Sequence, residues 1–146
     1  MISLELAKQL KESGLKWTPQ DGDKYWLPCP DKADDWKKDS WDEWTRGYLS
    51  TDSEHHYEEL WWHNNDWLTP KDEVVWIPNL NTLIHNIECH KFYWILRMCS
   101  QSDLGKYRCK IAENSEWLHY WTHYADTPEE AVGKALLWIL KNREDK

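Results

Sequence analysis

The amino-acid sequence predicts an α+β fold: an antiparallel three-stranded meander flanked by helices in the second half (α-β-β-β-α), with an acidic, tryptophan-rich insertion after an N-terminal helix. Two observations carry most of this. KFYWILRMCS, GKYRCKIAEN and EWLHYWTHYA are rich in strand-favouring residues and are separated by the turn-forming SQSDLG and ENS, connections too short for anything but antiparallel neighbours. Apolar residues at helical intervals stand on both sides of these runs, from Leu80 to Ile87 and from Val132 to Leu140. A third observation places the insertion: 13 acids against 5 bases lie between Asp21 and Asp66, while the rest of the chain holds 13 of each.

Taken in order, Ser3 can cap a first helix in which Leu6, Ala7 and Leu10 share a face, and Gly14 can adopt the left-handed turn that ends it. Pro19 to Gly22 signals a turn before a brief edge strand, Tyr25 to Leu27, stopped by Pro28 and Pro30. Ser40 and Glu43 form a capping box, and Trp41, Trp44 and Tyr48 recur at helical spacing, so one or two helical turns are expected there. YEELWW fits strand or helix, and NNDWLTPKDE reads as a loop. Val74 to Ile77 is a β-branched apolar run ended by Pro78, hence a buried strand; a helix from Leu80 to about Glu88 follows. After the meander, Thr127, Pro128, Glu129 and Glu130 supply a cap, a proline at the first helical position and acids in the first turn of a helix reaching about Asn142. A chain of 146 residues fits one domain, 1–146.

Composition narrows the function. With 40% hydrophobic residues the chain should fold, and no apolar run approaches the ~20 residues that cross a bilayer. The first ten residues show amphipathic spacing and no secretory apolar core, so a cytoplasmic location without membrane association is expected. Cys29, Cys89, Cys99 and Cys109 form no close pairs and read as free, buried thiols. A net charge of −8 opposes direct binding of nucleic acid, whose affinity comes largely from lysine and arginine.

Motifs for catalysis or cofactors are missing. There is no glycine-rich phosphate loop, GxSxG or HExxH, so a non-enzymatic protein without cofactor is expected. His119 and His123 would meet one metal on a helix, but on a strand four residues span roughly 13 Å, too far for shared ligation. His85, Cys89 and His90 lack further ligands at a recognisable spacing. No metal site is expected.

Tryptophan is the outlier. Thirteen in one small chain exceed what a core readily uses, because each ring is large and its N–H needs a partner when buried. Trp76, Trp94 and Trp138 stand in apolar surroundings and read as core. Trp36, Trp41, Trp44, Trp61 and Trp62 stand among acids and, with Asp42 and Glu43, are the candidate partner-binding residues. Aromatic anchors within an acidic rim suit a basic protein surface. The same residues suit a structural role, stapling an irregular flap to the sheet. Two alternatives from another class are a small-molecule binder and an unrecognised hydrolase with a tryptophan-lined pocket between flap and sheet.

The strands leading into ADTPEEAVGKALLWIL resemble the ending of HicB-type antitoxins, in which a small antiparallel sheet passes through a capped turn into a helix. That resemblance implies a small acidic protein masking a basic ribonuclease. The Phe-Pro-Asp-Leu-Pro-Gly type turn of that family is absent, so its partner surface does not carry over. The order helix, three strands, helix is also similar to a double-stranded RNA-binding domain, but Glu129 and Glu130 stand where that family places lysines. LAKQLKESGLKWTPQDGDKYW, VVWIPNL and TPEEAVGKALLWIL resemble small uncharacterised proteins of Gram-positive bacteria and their phages. This last resemblance implies a prophage or mobile-element accessory protein.

Overall fold

The computed structural model describes residues 1–16, 23–28, 44–48, 59–62, 67–70, 74–99 and 103–143. In chain order these form α1 (Leu4–Glu12), β1 (Lys24–Pro28), β2 (Trp44–Tyr48), β3 (Glu59–Trp62), β4 (Trp67–Pro70), β5 (Val75–Ile77), α2 (Leu80–Cys89), β6 (Tyr93–Met98), β7 (Tyr107–Ala112), β8 (Tyr120–Ala125) and α3 (Pro128–Arg143). The fold is α+β, with the helix, three-stranded meander and helix in the second half. The chain divides into two compact units, one made of 1–16 with 78–146, the other of 17–77 inserted between them.

In the first unit, α3 packs along β7 and β8 and against both other helices. It starts where Thr127 Oγ1 accepts from the Glu130 N–H at 3.2 Å, satisfying one of the amide groups that a helix start leaves unpaired. Its core stripe, Ala131, Val132, Ala135, Leu136 and Ile139, is out of water, as are Leu83 and Ile87 of α2 and Ile111 of β7. Fully burying one such aliphatic side chain contributes roughly 1.5–3 kcal/mol. The helix α1 is capped by Ser3, whose Oγ accepts from the Leu6 N–H at 3.2 Å, and it buries Leu6, Ala7 and Leu10. Close approach to α3 depends on Gly133, where a Cβ would stand 2.7 Å from Leu6 Cδ2. Glu130 Oε1 also accepts from the Ser3 N–H at 3.1 Å, tying the start of α1 to that of α3.

The meander pairs Trp94 with Ile111 and Ile111 with Trp121, and Leu96 with Cys109 and Cys109 with His123. Directly paired residues share a face, and this is the helix-covered one. Cys109 and Ile111 are fully buried there. Burial pushes the Cys109 thiol up to about 12, so it stays protonated and unreactive. Among the described cysteines the expectation of buried free thiols holds for Cys109, whereas Cys99 is half-buried and Cys89 is exposed, none of the three in a disulfide; Cys29 lies outside the described residues.

In the second unit, β1 lies between β2 and β5, all antiparallel, and β3 pairs with β4 as a separate two-stranded ladder. Three expectations are corrected here. The segment around Tyr25 is the centre of its sheet and not an edge. Pro28 is tolerated because β5 pairs only with Lys24 to Trp26, leaving the proline beyond that ladder. Trp44 to Tyr48 is a strand and not a helix, and Trp67 to Pro70, read as loop, is a strand opposite β3. The capping box Ser40 to Glu43 lies outside the described residues.

Candidate functional site

Of the tryptophan and acidic residues expected to bind a partner, Trp36, Trp41, Asp42 and Glu43 lie outside the described residues. Trp44 opens β2 opposite Pro28, whereas Trp61 and Trp62 close β3 opposite Leu68 and Trp67. The backbone therefore brings Trp61, Trp62 and Trp67 into one hairpin and puts Trp44 in a different sheet.

The three tryptophans assigned to the core are each only half-buried. Size and the indole N–H explain it. Trp94 keeps its Nε1 at the rim, where it donates to Glu88 Oε1 at 2.9 Å. Trp138 on α3 lies against Trp121 of β8, centroids 4.3 Å apart and planes inclined by 32°, and Phe92 meets both rings at 6.4 Å.

These rings line a cleft of about 480 Å³ with Ile139, His90, Lys91, Glu113 and Asn142. A local backbone device aims Phe92 into it. At the end of α2 the Lys91 N–H donates to Glu88 O and the Phe92 N–H to Ile87 O, a Schellman turn whose left-handed position is Lys91, φ 66°. The end of α1 makes the same turn with Gly14, φ 101°. At the other side, Asn142 Nδ2 donates to Trp138 O at 2.8 Å and is held in place. Apolar ring faces bordered by a few polar groups are the usual make-up of a small-ligand cleft. Nothing in the sequence singled out Phe92 or Trp121, because their partner Trp138 is remote along the chain.

Among the described residues no group of three or more His, Cys, Asp or Glu side chains converges to hold a metal. His119 precedes β8 and His123 lies within it, on the helix-covered face. Burial, with the nearby Lys134 charge adding to it, holds the His123 imidazolium below the usual histidine range, and its Nε2 is buried without a hydrogen-bond partner. On α2, His85 Nε2 and Cys89 Sγ are 3.3 Å apart, an exposed pair one turn apart. No described helix is long and apolar enough to cross a membrane. No protein-family model matches the chain, and no curated protein or solved structure matches it.

Proposed function

We propose that the chain is a non-enzymatic binding module acting in the cytoplasm, whose acidic, tryptophan-rich unit occupies a basic protein surface in the manner of an antitoxin, immunity protein or phage-encoded inhibitor. One observation carries this reading. The compact unit 17–77 holds 15 of the 26 acids against 6 of the 18 bases and nine of the 13 tryptophans, leaving the rest of the chain with 12 bases against 11 acids. Charge and indole are thus concentrated in one structural unit. Acidic residues steer a basic partner and repel acidic competitors, while aromatic side chains supply desolvated contact area. Immobilised full-length chain should capture a basic partner at low salt and release it as salt rises. Exchanging Trp61 and Trp62, or Trp41 and Trp44, for alanine should weaken capture about thirtyfold, the effect of losing one interface anchor. Unchanged capture by variants whose circular dichroism matches the parent would reject the reading.

The cleft of Phe92, Trp121 and Trp138 favours a second reading, a small-molecule site within the other unit. Saturable quenching of tryptophan fluorescence by a metabolite or nucleotide, reduced in Trp121→Phe, is the corresponding test; silence across the panel counts against it.

A further inference from the structure

The face of the meander turned away from the helices has a composition unlike the rest of the chain. The three strands contain no Asp or Glu, although the chain holds 26. Cross-strand pairing puts Tyr93, Ala112 and Tyr120 in one row, Ile95, Lys110 and Thr122 in the next, and Arg97, Arg108 and Tyr124 in the third. Alternation along each strand sets all nine on the face opposite Trp94, Ile111 and Trp121. Tyr93 and Tyr120 are each 50% exposed and stand in the strands on either side of Ala112, which is itself fully buried. Strand spacing sets the backbones of Tyr93 and Tyr120 roughly 9.6 Å apart, and successive rows follow at roughly 6.7 Å. Lys110 Nζ lies over the Tyr120 ring, 4.7 Å from its centre, a cation–π contact that sets a positive charge against one ring face. Among the described residues no carboxylate pairs with Arg97, Arg108 or Lys110. Arg108 Nε is buried without a hydrogen-bond partner.

We propose that this sheet face binds single-stranded nucleic acid, with bases stacking on Tyr93 and Tyr120 and phosphates meeting Arg97, Arg108 and Lys110. Exposed aromatic rings beside cations without a carboxylate partner on one sheet face make a stacking platform with an electrostatic track. An acidic peptide would use the cations and leave the ring faces idle. Rings that stack on bases need bases outside their own helical stack, which a single strand offers and a duplex does not. The net charge of −8 does not oppose the assignment: the unit that carries the sheet has 12 bases against 11 acids, and the excess acid belongs to residues 17–77. Attraction between charges fades within about a Debye length, roughly 8 Å at physiological salt, so the immediate surroundings count for more than the total.

The test uses full-length protein and fluorescence anisotropy of labelled oligouridylate and oligothymidylate of about twelve nucleotides, within the length one such platform covers. Polyglutamate serves as competitor. Saturable binding at low salt is expected, with log affinity falling against log salt at a slope near −2, as about three phosphate contacts on a single strand require. Arg97→Gln should reduce that slope by about 0.7. Tyr93→Leu and Tyr120→Leu should each weaken binding about tenfold or more, and Tyr120→Phe, which keeps the ring face, should bind like the parent. These side chains are surface groups, and circular dichroism verifies that each variant folds. No saturable binding, tyrosine variants that bind as the parent does, or polyglutamate competing as well as unlabelled oligonucleotide would each overturn the proposal.

Discussion

Lys91 shows how much one residue can carry. A left-handed backbone costs a non-glycine residue roughly 1–2 kcal/mol, and the turn it makes at the end of α2 delivers Phe92 to the aromatic cleft. Lys91→Gly should therefore raise stability by about 1 kcal/mol in urea unfolding while leaving the ring cluster in place. His123 gives a pH signature. The unfolded chain takes up its proton near the ordinary pH of about 6.5, while the folded chain takes it up only at lower pH, because burial and Lys134 disfavour the imidazolium. The stabilisation from a neutral His123 is full above about pH 6.5 and is lost as pH falls from there toward the folded value. Urea midpoints of the parent should fall over this window more than those of His123→Gln; parallel profiles would show that His123 plays no part. Neither residue was legible beforehand: Lys91 has no glycine to advertise its turn, and His123 acquires its environment from α3. Gly14, by contrast, announced the same turn at the end of α1.

Elements whose ends are marked by their own side chains were readable. Ser3 and Thr127 cap α1 and α3 as their sequence contexts require, and the hydroxyls accept from the amides three residues on. Thr127→Ala should accordingly cost about 1 kcal/mol by chemical denaturation, with Thr127→Ser close to the parent. The meander was equally legible, because three strand-like runs joined by short turns leave few other arrangements. Misreadings gathered where patterns coincide. Trp44 and Tyr48 are four residues apart, an interval shared by the periods of helix and strand, and β2 formed because β1 pairs with all five of its residues. Thr69 and Pro70, turn formers by composition, belong to β4 because Glu59 and Leu60 lie opposite them.

At the scale of the whole molecule, charge follows architecture. Residues 17–77 are strongly acidic, and the remainder is nearly neutral with a basic sheet face. Two binding activities of opposite electrostatic sense can coexist in one chain when each draws on its own unit. They should then separate by mutation. Alanine at Trp61 and Trp62 should impair capture of a basic protein and spare oligonucleotide binding, and Arg97→Gln with Tyr120→Leu should do the reverse, both read by anisotropy and pull-down on the same preparations. Loss of both activities in either variant would show that one surface serves both.

Of the candidate site, the sequence held the raw chemistry, the positions of the acids and the indoles, and it marked the three described helices and the three meander strands. Periodicity and capping are local, so neighbouring residues suffice to express them. The cleft and the basic face were invisible at that level, since Phe92, Trp121 and Trp138, or Tyr93, Arg108 and Tyr120, come together only through pairing between strands and packing of a helix many residues away. Alternation along one strand divides its residues between two faces, but only pairing with other strands decides which of their residues stand beside them.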